Sequence, residues 1–253
     1  MQYFAMPRYD FRSPRLYLDA PLFEGAAVAL DKAQANYLLN VLRLSPGEGV
    51  LVFNGRDGEW QGQIARAGKR DAALAIGART RIQTTPTDLH WLFAPLKQAR
   101  LDYMVQKAVE LGASRLQPVL TRHTQVARVN LERMRANAIE ACEQCGVLSL
   151  PEVAEPLSLE RALSVFEPSR VLIFCDEAAE VKDPVAALSA VPAGAPLAVL
   201  VGPEGGFAEE ERAMLLRRSG VVRLALGPRI LRADTAAVAA LSLVQGVLGD
   251  WRA

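Results

Sequence analysis

The sequence predicts an α/β protein: a mostly parallel sheet with helices on both faces, preceded by a small, barrel-like all-β domain. Three observations carry this expectation. From residue 89 onward, short apolar runs alternate with longer helix-patterned segments, as when strands are joined by helical crossovers. The first 80 or so residues instead hold many short strand-like runs split by glycine-rich turns. Between the two, RIQTTPTD (residues 81–88) carries the Thr, Pro and Asp of a linker, so the expected domains are 1–80 and 81–253.

In the first domain RLYLDA and AVAL are strand-like, and KAQANYLLNVLRL is a helical patch ended by the turn SPGEG. VLVFNG, RDGEWQGQIARA and AALAIGARTRI complete the strands. FNGRDGEW is expected to form a hairpin on a two-residue Asp57-Gly58 turn.

In the second domain LHWLFAPL is a strand, and KQARLDYMVQKAVELG is a helix stopped by Gly112. RLQPVLT is a strand, and LERMRANAIEACEQCG is a second helix ended by glycine. A short helix LSLERALSVF, strand RVLIFCDE, helix DPVAALSAV and strand PLAVLVG follow. Helix AEEERAMLLRRSG, strand VVRLALG and the last helix, DTAAVAALSLVQGVLGDW, close the chain.

At 253 residues with 51% hydrophobic and 23% charged side chains, the chain is an ordinary packed protein. Its net charge of +1 alone points to no nucleic acid, but residues 1–150 carry nineteen Lys and Arg against fourteen Asp and Glu. No apolar run approaches the roughly 18–20 residues that span a bilayer. The charged, proline-containing start lacks a signal-peptide core, so the expected location is cytoplasmic. Cys142 and Cys145 are either half of a metal or redox site or a helical face with two small buried thiols. With one ligand pair and two histidines in the chain, no metal is expected.

Chemistry is expected where apolar strands stop on Gly-Pro. LAVLVGPEGGFAEEE and LALGPRILRADTAAVAAL both do so, and ligands of parallel sheets lie beyond the carboxyl ends of strands. Tight strand-to-helix turns are the plain alternative. The first loop lacks the Lys-Ser/Thr of a P-loop and carries Glu204, which suits a neutral or cationic ligand better than a polyphosphate. The second carries Arg229 and Arg232, three apart and side by side if the segment is helical.

These segments resemble the RsmE family, bacterial 16S rRNA uridine-N3 methyltransferases of the SPOUT, or trefoil-knot, class. RLYLDAPL, YLLNVLRLSPGEGV, FNGRDGEW, KQARLDYMVQKAVELGASRLQPVLTRHT, AIEACEQCG and the final LGDW extend the likeness over nearly the whole chain. The resemblance implies a PUA-like barrel, a knotted α/β domain, a homodimer and S-adenosylmethionine as methyl donor. It places the donor against Val201, Gly202, Pro203, Glu204 and Gly205 in one loop, and against Leu226, Gly227, Ile230, Leu231 and Arg232 in the other. Departures are Asp234 where Glu is usual, Val147 where Arg is common, His123 where Ser is frequent, and Tyr37 where His is.

The implied catalytic residues are Arg232, stabilising charge on a uracil carbonyl, and Glu204, orienting the site or relaying a proton. Structural roles, an ion pair and a loop cap, are the alternatives. The cations expected to track rRNA phosphates are Arg8, Arg12, Arg15, Arg43, Arg66, Lys69, Arg70, Arg122 and Arg128. The rivals are a catalytically inert RNA- or ribosome-binding protein that keeps the cofactor loops, and a nucleotide-dependent α/β transferase. The small-residue surface of the last helix is expected to pack against a second copy.

Overall fold

The computed structural model describes residues 12–66, 72–126 and 128–252. The chain divides into two compact units, residues 1–85 with 142–150, and residues 86–141 with 151–253.

The first unit contains β1 (Arg15–Tyr17), β2 (Ala27–Ala29), α1 (Lys32–Asn36), β3 (Gly49–Phe53), β4 (Glu59–Arg66) and β5 (Ala73–Arg81). They form one sheet in the order β1-β3-β4-β5-β2, with β1 parallel to β3 and the other pairs antiparallel. Period-two alternation turns Val50, Val52, Ile64, Leu74 and Ile76 inward onto Leu16, Leu18 and Leu38. Asp31 starts α1 as a capping box: its Oδ1 accepts the Gln34 N–H at 2.8 Å, and Gln34 Oε1 accepts the Asp31 N–H at 3.0 Å. The helix widens to a π-turn over Tyr37–Val41, and Arg43 leaves it in the left-handed region at φ 58°.

The hairpin differs from expectation. Phe53 pairs with Glu59, so its loop is Asn54–Gly58 and not a two-residue turn. Asn54 Oδ1 accepts the N–H groups of Arg56 and Asp57 at 3.0 and 2.9 Å, while the Asp57 carboxylate accepts the Leu22 N–H at 3.0 Å. These side-chain bonds replace the tight backbone turn. Gly58 is required: it sits at φ 89°, and a Cβ there would lie 2.3 Å from the Arg81 carbonyl oxygen.

The second unit begins with β6 (Leu89–Phe93), α2 (Gln98–Glu110), β7 (Arg115–Leu120) and α3 (Leu131–Cys145). After it come β8 (Glu152–Val153), β9 (Leu157–Ser158), α4 (Leu159–Ser164), β10 (Val171–Cys175) and α5 (Pro184–Ser189). The last elements are β11 (Leu197–Val201), α6 (Glu209–Arg217), β12 (Val221–Leu224) and α7 (Ala233–Val247). The two-residue strands β8 and β9 were not expected; segments so short carry no alternation to read.

The sheet order is β12-β10-β11-β6-β7-β8, with β9 beside β7, and every pair is parallel. All five residues of β11 are buried, as expected for a strand covered on both faces. On one face Leu92, Leu172, Phe174, Ala198 and Leu200 pack with Leu159 and Ala162 of α4 and Leu215 of α6. On the other, Trp91 and Phe93 stack with centroids 3.9 Å apart. Burying such side chains stabilises the fold by about 1.5–3 kcal/mol each.

Gly112 ends α2 at φ 78°, where a Cβ would lie 2.4 Å from Gln245 Nε2. That amide, fully buried on α7, donates to the Leu111 carbonyl at 2.7 Å and ties the two helices together. Cys142 is buried, but Cys145 is exposed, so the pair is not a face of two buried thiols. Burial pushes the Cys142 thiol up to about 12, which leaves it inert. Among the described residues no helix is long and apolar enough to cross a membrane.

Candidate active site

Parallel pairing delivers the carboxyl ends of β12, β10, β11, β6 and β7 to one edge of the sheet, and both Gly-Pro loops leave from that edge. They follow β11 and β12, which are not neighbours in the sheet; β10 lies between them. In the first loop Gly206 donates its N–H to the Pro203 carbonyl at 2.9 Å, a turn that lifts Glu204 and Gly205 to the surface. Gly206 takes the left-handed conformation at φ 69°. Gly202 is required for a different reason: a Cβ there would meet the Phe207 ring at 2.5 Å.

In the second loop residues 225–232 are not helical, so Arg229 and Arg232 do not lie side by side on a helical turn. Arg232 is the N-cap of α7, with extended backbone and no side-chain capping bond. Ile230 is 98% exposed, and Gly227 sits at φ 86° with open space where a side chain would be.

The two loops meet at a residue that sequence reasoning missed. Arg100, in the first turn of α2, donates to Glu204 and lies 3.9 Å from the Asp234 carboxylate at the start of α7. Glu204 is therefore not a lone carboxylate among amides; its charge is met by a guanidinium. A cavity of about 310 Å³ is lined by Arg100, Glu204, Ile230, Leu231 and Arg232. A second, of about 210 Å³, shares Arg100 and Glu204 and extends over Lys97, His123, Gln125 and Pro203. His123 was likewise missed as a site residue. Its Nδ1 lies 3.1 Å from the carbonyl oxygens of both Gly205 and Gly206, so it donates to the loop.

A buried carboxylate, Asp176, braces this edge at the end of β10. It accepts from Arg223 Nε at 2.8 Å, Arg212 at 3.1 Å and the Ala178 N–H at 3.0 Å. Burial raises its pKa, but these donors outweigh that and hold it below the usual carboxylate range. Among the described residues there is no group of three or more side chains fit to hold a metal ion.

Of the expected RNA-facing cations, Arg12, Arg43, Arg66, Arg122 and Arg128 are exposed. Arg15 is not. It is 7% exposed and bonds Glu59 at 3.0 Å, a carboxylate also held by Arg81 at 2.6 Å and by Thr80 at 2.9 Å, so it is removed from the surface set. Arg8, Lys69 and Arg70 lie outside the described residues.

Comparison with known proteins fits this layout. Residues 83–245 match a family described as an RNA methyltransferase domain, and residues 30–76 an RNA methyltransferase PUA domain. A Synechocystis protein named ribosomal RNA small subunit methyltransferase E is 31% identical over 228 residues, covering 88% of this chain and 74% of that one. The chain belongs to the ribosomal RNA small subunit methyltransferase E family.

A second member, from Rickettsia conorii, is 29% identical over 232 residues, or 91% of this chain and 94% of its own. Among solved structures, the family's enzyme from Neisseria gonorrhoeae, bound to S-adenosyl methionine, superposes with a TM-score of 0.84 at 29% identity, covering 95% of this chain and all of that one. A putative methyltransferase from Legionella pneumophila, in complex with the same cofactor, gives 0.82 at 29% identity, covering 94% of this chain and 99% of its own.

Proposed function

We propose that this chain methylates N3 of a uridine in the 16S rRNA of the small ribosomal subunit, with S-adenosylmethionine as donor. The observation that carries the proposal is the convergence of both Gly-Pro loops on Arg100 at one sheet edge. The chain's membership of the methyltransferase E family supports it.

The residues there fit the donor. Open backbone at Gly227 and the apolar Leu226, Ile230 and Leu231 suit an adenosine. In this reading Val201, Gly202, Pro203, Glu204 and Gly205 of the first loop hold the donor from the other side, Glu204 lining the cavity itself, and the carboxylates of Glu204 and Asp234 suit a ligand with cationic centres. When bound, the donor supplies an activated methyl carbon on a sulfonium, so the protein needs no metal to make it electrophilic.

Two tasks remain for the chain: to align N3 with that carbon and to stabilise the uracil anion left when N3 loses its proton. Arg232, exposed at the rim of the larger cavity, donates to a uracil carbonyl. Glu204 orients the site through Arg100. An embedded base must first leave its stack to arrive there. Arg12, Arg43, Arg66, Arg122 and Arg128 supply phosphate contacts, so RNA binding weakens steeply with salt.

In the same reading the second unit is a SPOUT-type trefoil knot and the first closes as a PUA-like barrel. Two copies pair through α7, and the enzyme works in the cytoplasm on 16S rRNA within the small ribosomal subunit. The test is mass mapping of small-subunit rRNA from cells lacking the gene, with repair by the purified protein. One missing uracil methyl, restored by wild type and not by Arg232→Ala, is expected. Cofactor binding without restoration would leave an inert RNA-binding protein instead.

A further inference from the structure

The smaller cavity lies at the carboxyl ends of three adjacent strands: Pro95, Leu96 and Lys97 follow β6, His123, Gln125 and Val126 follow β7, and Pro203 and Glu204 follow β11. It shares the Arg100–Glu204 pair with the cavity between the two loops, so a ligand seated in it borders the cofactor's proposed place. Its polar lining is mixed. Arg100, Lys97 and the Gln125 amide donate hydrogen bonds. His123 differs, because its Nδ1–H is committed to the carbonyls of Gly205 and Gly206, which leaves Nε2 of the neutral ring as an acceptor.

The ring is held in place. Its turn is pinned by the Thr121 N–H to Thr124 Oγ1 at 2.9 Å and by the Arg122 N–H to Glu211 at 2.8 Å. Glu204, the carboxylate in the lining, is engaged by Arg100, and the Gln125 side-chain oxygen, a neutral amide carbonyl, is no base.

We propose that this cavity seats the target uracil, and that His123 Nε2, rather than Glu204, takes the N3 proton. The proposal rests on the methyltransferase reading above and deepens it. The edge of uracil presents acceptor, donor and acceptor: O2, N3–H and O4. The lining holds groups of both kinds, with Arg100, Gln125 and Lys97 as donors and the imidazole Nε2 as acceptor. Cytosine presents an acceptor at N3 and a donor at N4, so it mismatches at two of the three positions.

Transfer of the N3 proton to Nε2 leaves an imidazolium and a uracil anion whose charge Arg100, which lines both cavities, stabilises. N3 then bonds the methyl carbon as the carbon–sulfur bond breaks, its electron pair staying on sulfur, and the imidazolium returns its proton to water. The charged groups that line the cavity with the ring are Lys97, Arg100 and Glu204.

Two substitutions separate this role from a loop anchor. His123→Asn keeps a donor near Nδ1 and removes Nε2, while His123→Gln keeps a polar group near Nε2 and removes the loop bond. Single-turnover methylation of unmodified small-subunit RNA, cofactor affinity by calorimetry, and NMR titration of the ligand-free protein with uridine and cytidine 5′-monophosphate are the measurements. His123→Asn is expected to slow transfer by about 100-fold and keep cofactor Kd within about twofold of wild type. Uridine monophosphate is expected to shift resonances of Lys97, Arg100 and His123 more than cytidine monophosphate does. A wild-type transfer rate in His123→Asn overturns the assignment while leaving the methyltransferase reading intact. If the wild-type protein neither binds the donor nor methylates RNA, both fall.

Discussion

Arg223 reaches from β12 to the Asp176 carboxylate at the end of the adjacent strand β10, with Nε and Oδ2 2.8 Å apart. The backbone follows the same path, since the Asp176 N–H donates to the Leu224 carbonyl at 3.0 Å. Arg212, on the helix that follows the first Gly-Pro loop, bonds the same oxygen at 3.1 Å. One buried carboxylate therefore joins the strand that leads into the second loop to the helix that leaves the first.

Replacing Asp176 by Asn keeps the shape and removes the charge, leaving Arg223 with only the exposed Glu180 carboxylate at 3.8 Å and Arg212 without the carboxylate it bonds. The expected loss is about 2–3 kcal/mol, read as a fall in Tm of about 5–10 °C, with weaker binding of S-adenosylmethionine. The native pKa is lowered, so the stabilisation is fully present above the unfolded value of about 4. It disappears as pH falls through the native value. Urea midpoints of wild type and Asp176→Asn should differ by a constant amount above about pH 5 and converge in stronger acid. A constant gap down to pH 2 would contradict this account.

His90 gives a second, separable pH dependence. Burial lowers its pKa to about 4, helped by the charges of Arg170 and Arg115 and opposed by Asp88. The unfolded imidazole takes up its proton near pH 6.5, well before the folded one does. Stability is thus complete above that pH and falls as pH drops from about 6.5 toward about 4, by up to about 3 kcal/mol. His90→Gln should flatten this segment of the stability curve. In wild type the His90 ring resonances should stay unshifted between pH 8 and pH 5.

Much of this layout is legible locally. Gly112 and Gly146 end their helices with positive φ, and the apolar runs that stop on Gly-Pro do end at one sheet edge. Arg100 was hidden because its partner Glu204 is 104 positions away and its own segment reads as an ordinary amphipathic helix. A signal was present nonetheless: Lys97 and Arg100 open α2 with no acid in its first turn, against the helix dipole. Arg15 misled for the same reason in reverse, since its partner Glu59 is 44 positions along the chain. His123 stands in a turn without periodicity, and nothing local marks the carbonyls it bonds.

Gly202 and Gly227 occupy the two loops but are needed for different reasons, and substitution separates them. A Cβ at Gly202 would meet Phe207 Cε2 at 2.5 Å, and that ring packs edge-on against Phe174 with centroids 5.2 Å apart. Gly202→Ala should cost about 1–3 kcal/mol through overpacking and weaken cofactor binding. Gly227→Ala meets open space and bears only the strain of φ 86°, about 1 kcal/mol. Calorimetric Tm and cofactor Kd for both variants check the ordering; a larger Tm loss at Gly227 would refute it.

The outer side of α7 tests the proposed pairing of copies. Val238 and Ala239 line a shallow hollow with Asp234, Thr235 and Tyr103, and Tyr103 is 46% exposed. The inward side, Ala237, Ala240, Leu241 and Val244, is already buried within the chain, so the outer side is available to a partner. In a two-fold interface a substitution appears twice, once in each symmetric half of the contact. Val238→Glu therefore buries two unpaired carboxylates in the apolar contact, and the dimer should weaken by about 100-fold or more. Wild type should sediment at twice the 27.5 kDa chain mass and Val238→Glu at that mass, with an unchanged circular dichroism spectrum. A wild-type protein that sediments as a single chain at micromolar concentration would remove α7 as an interface.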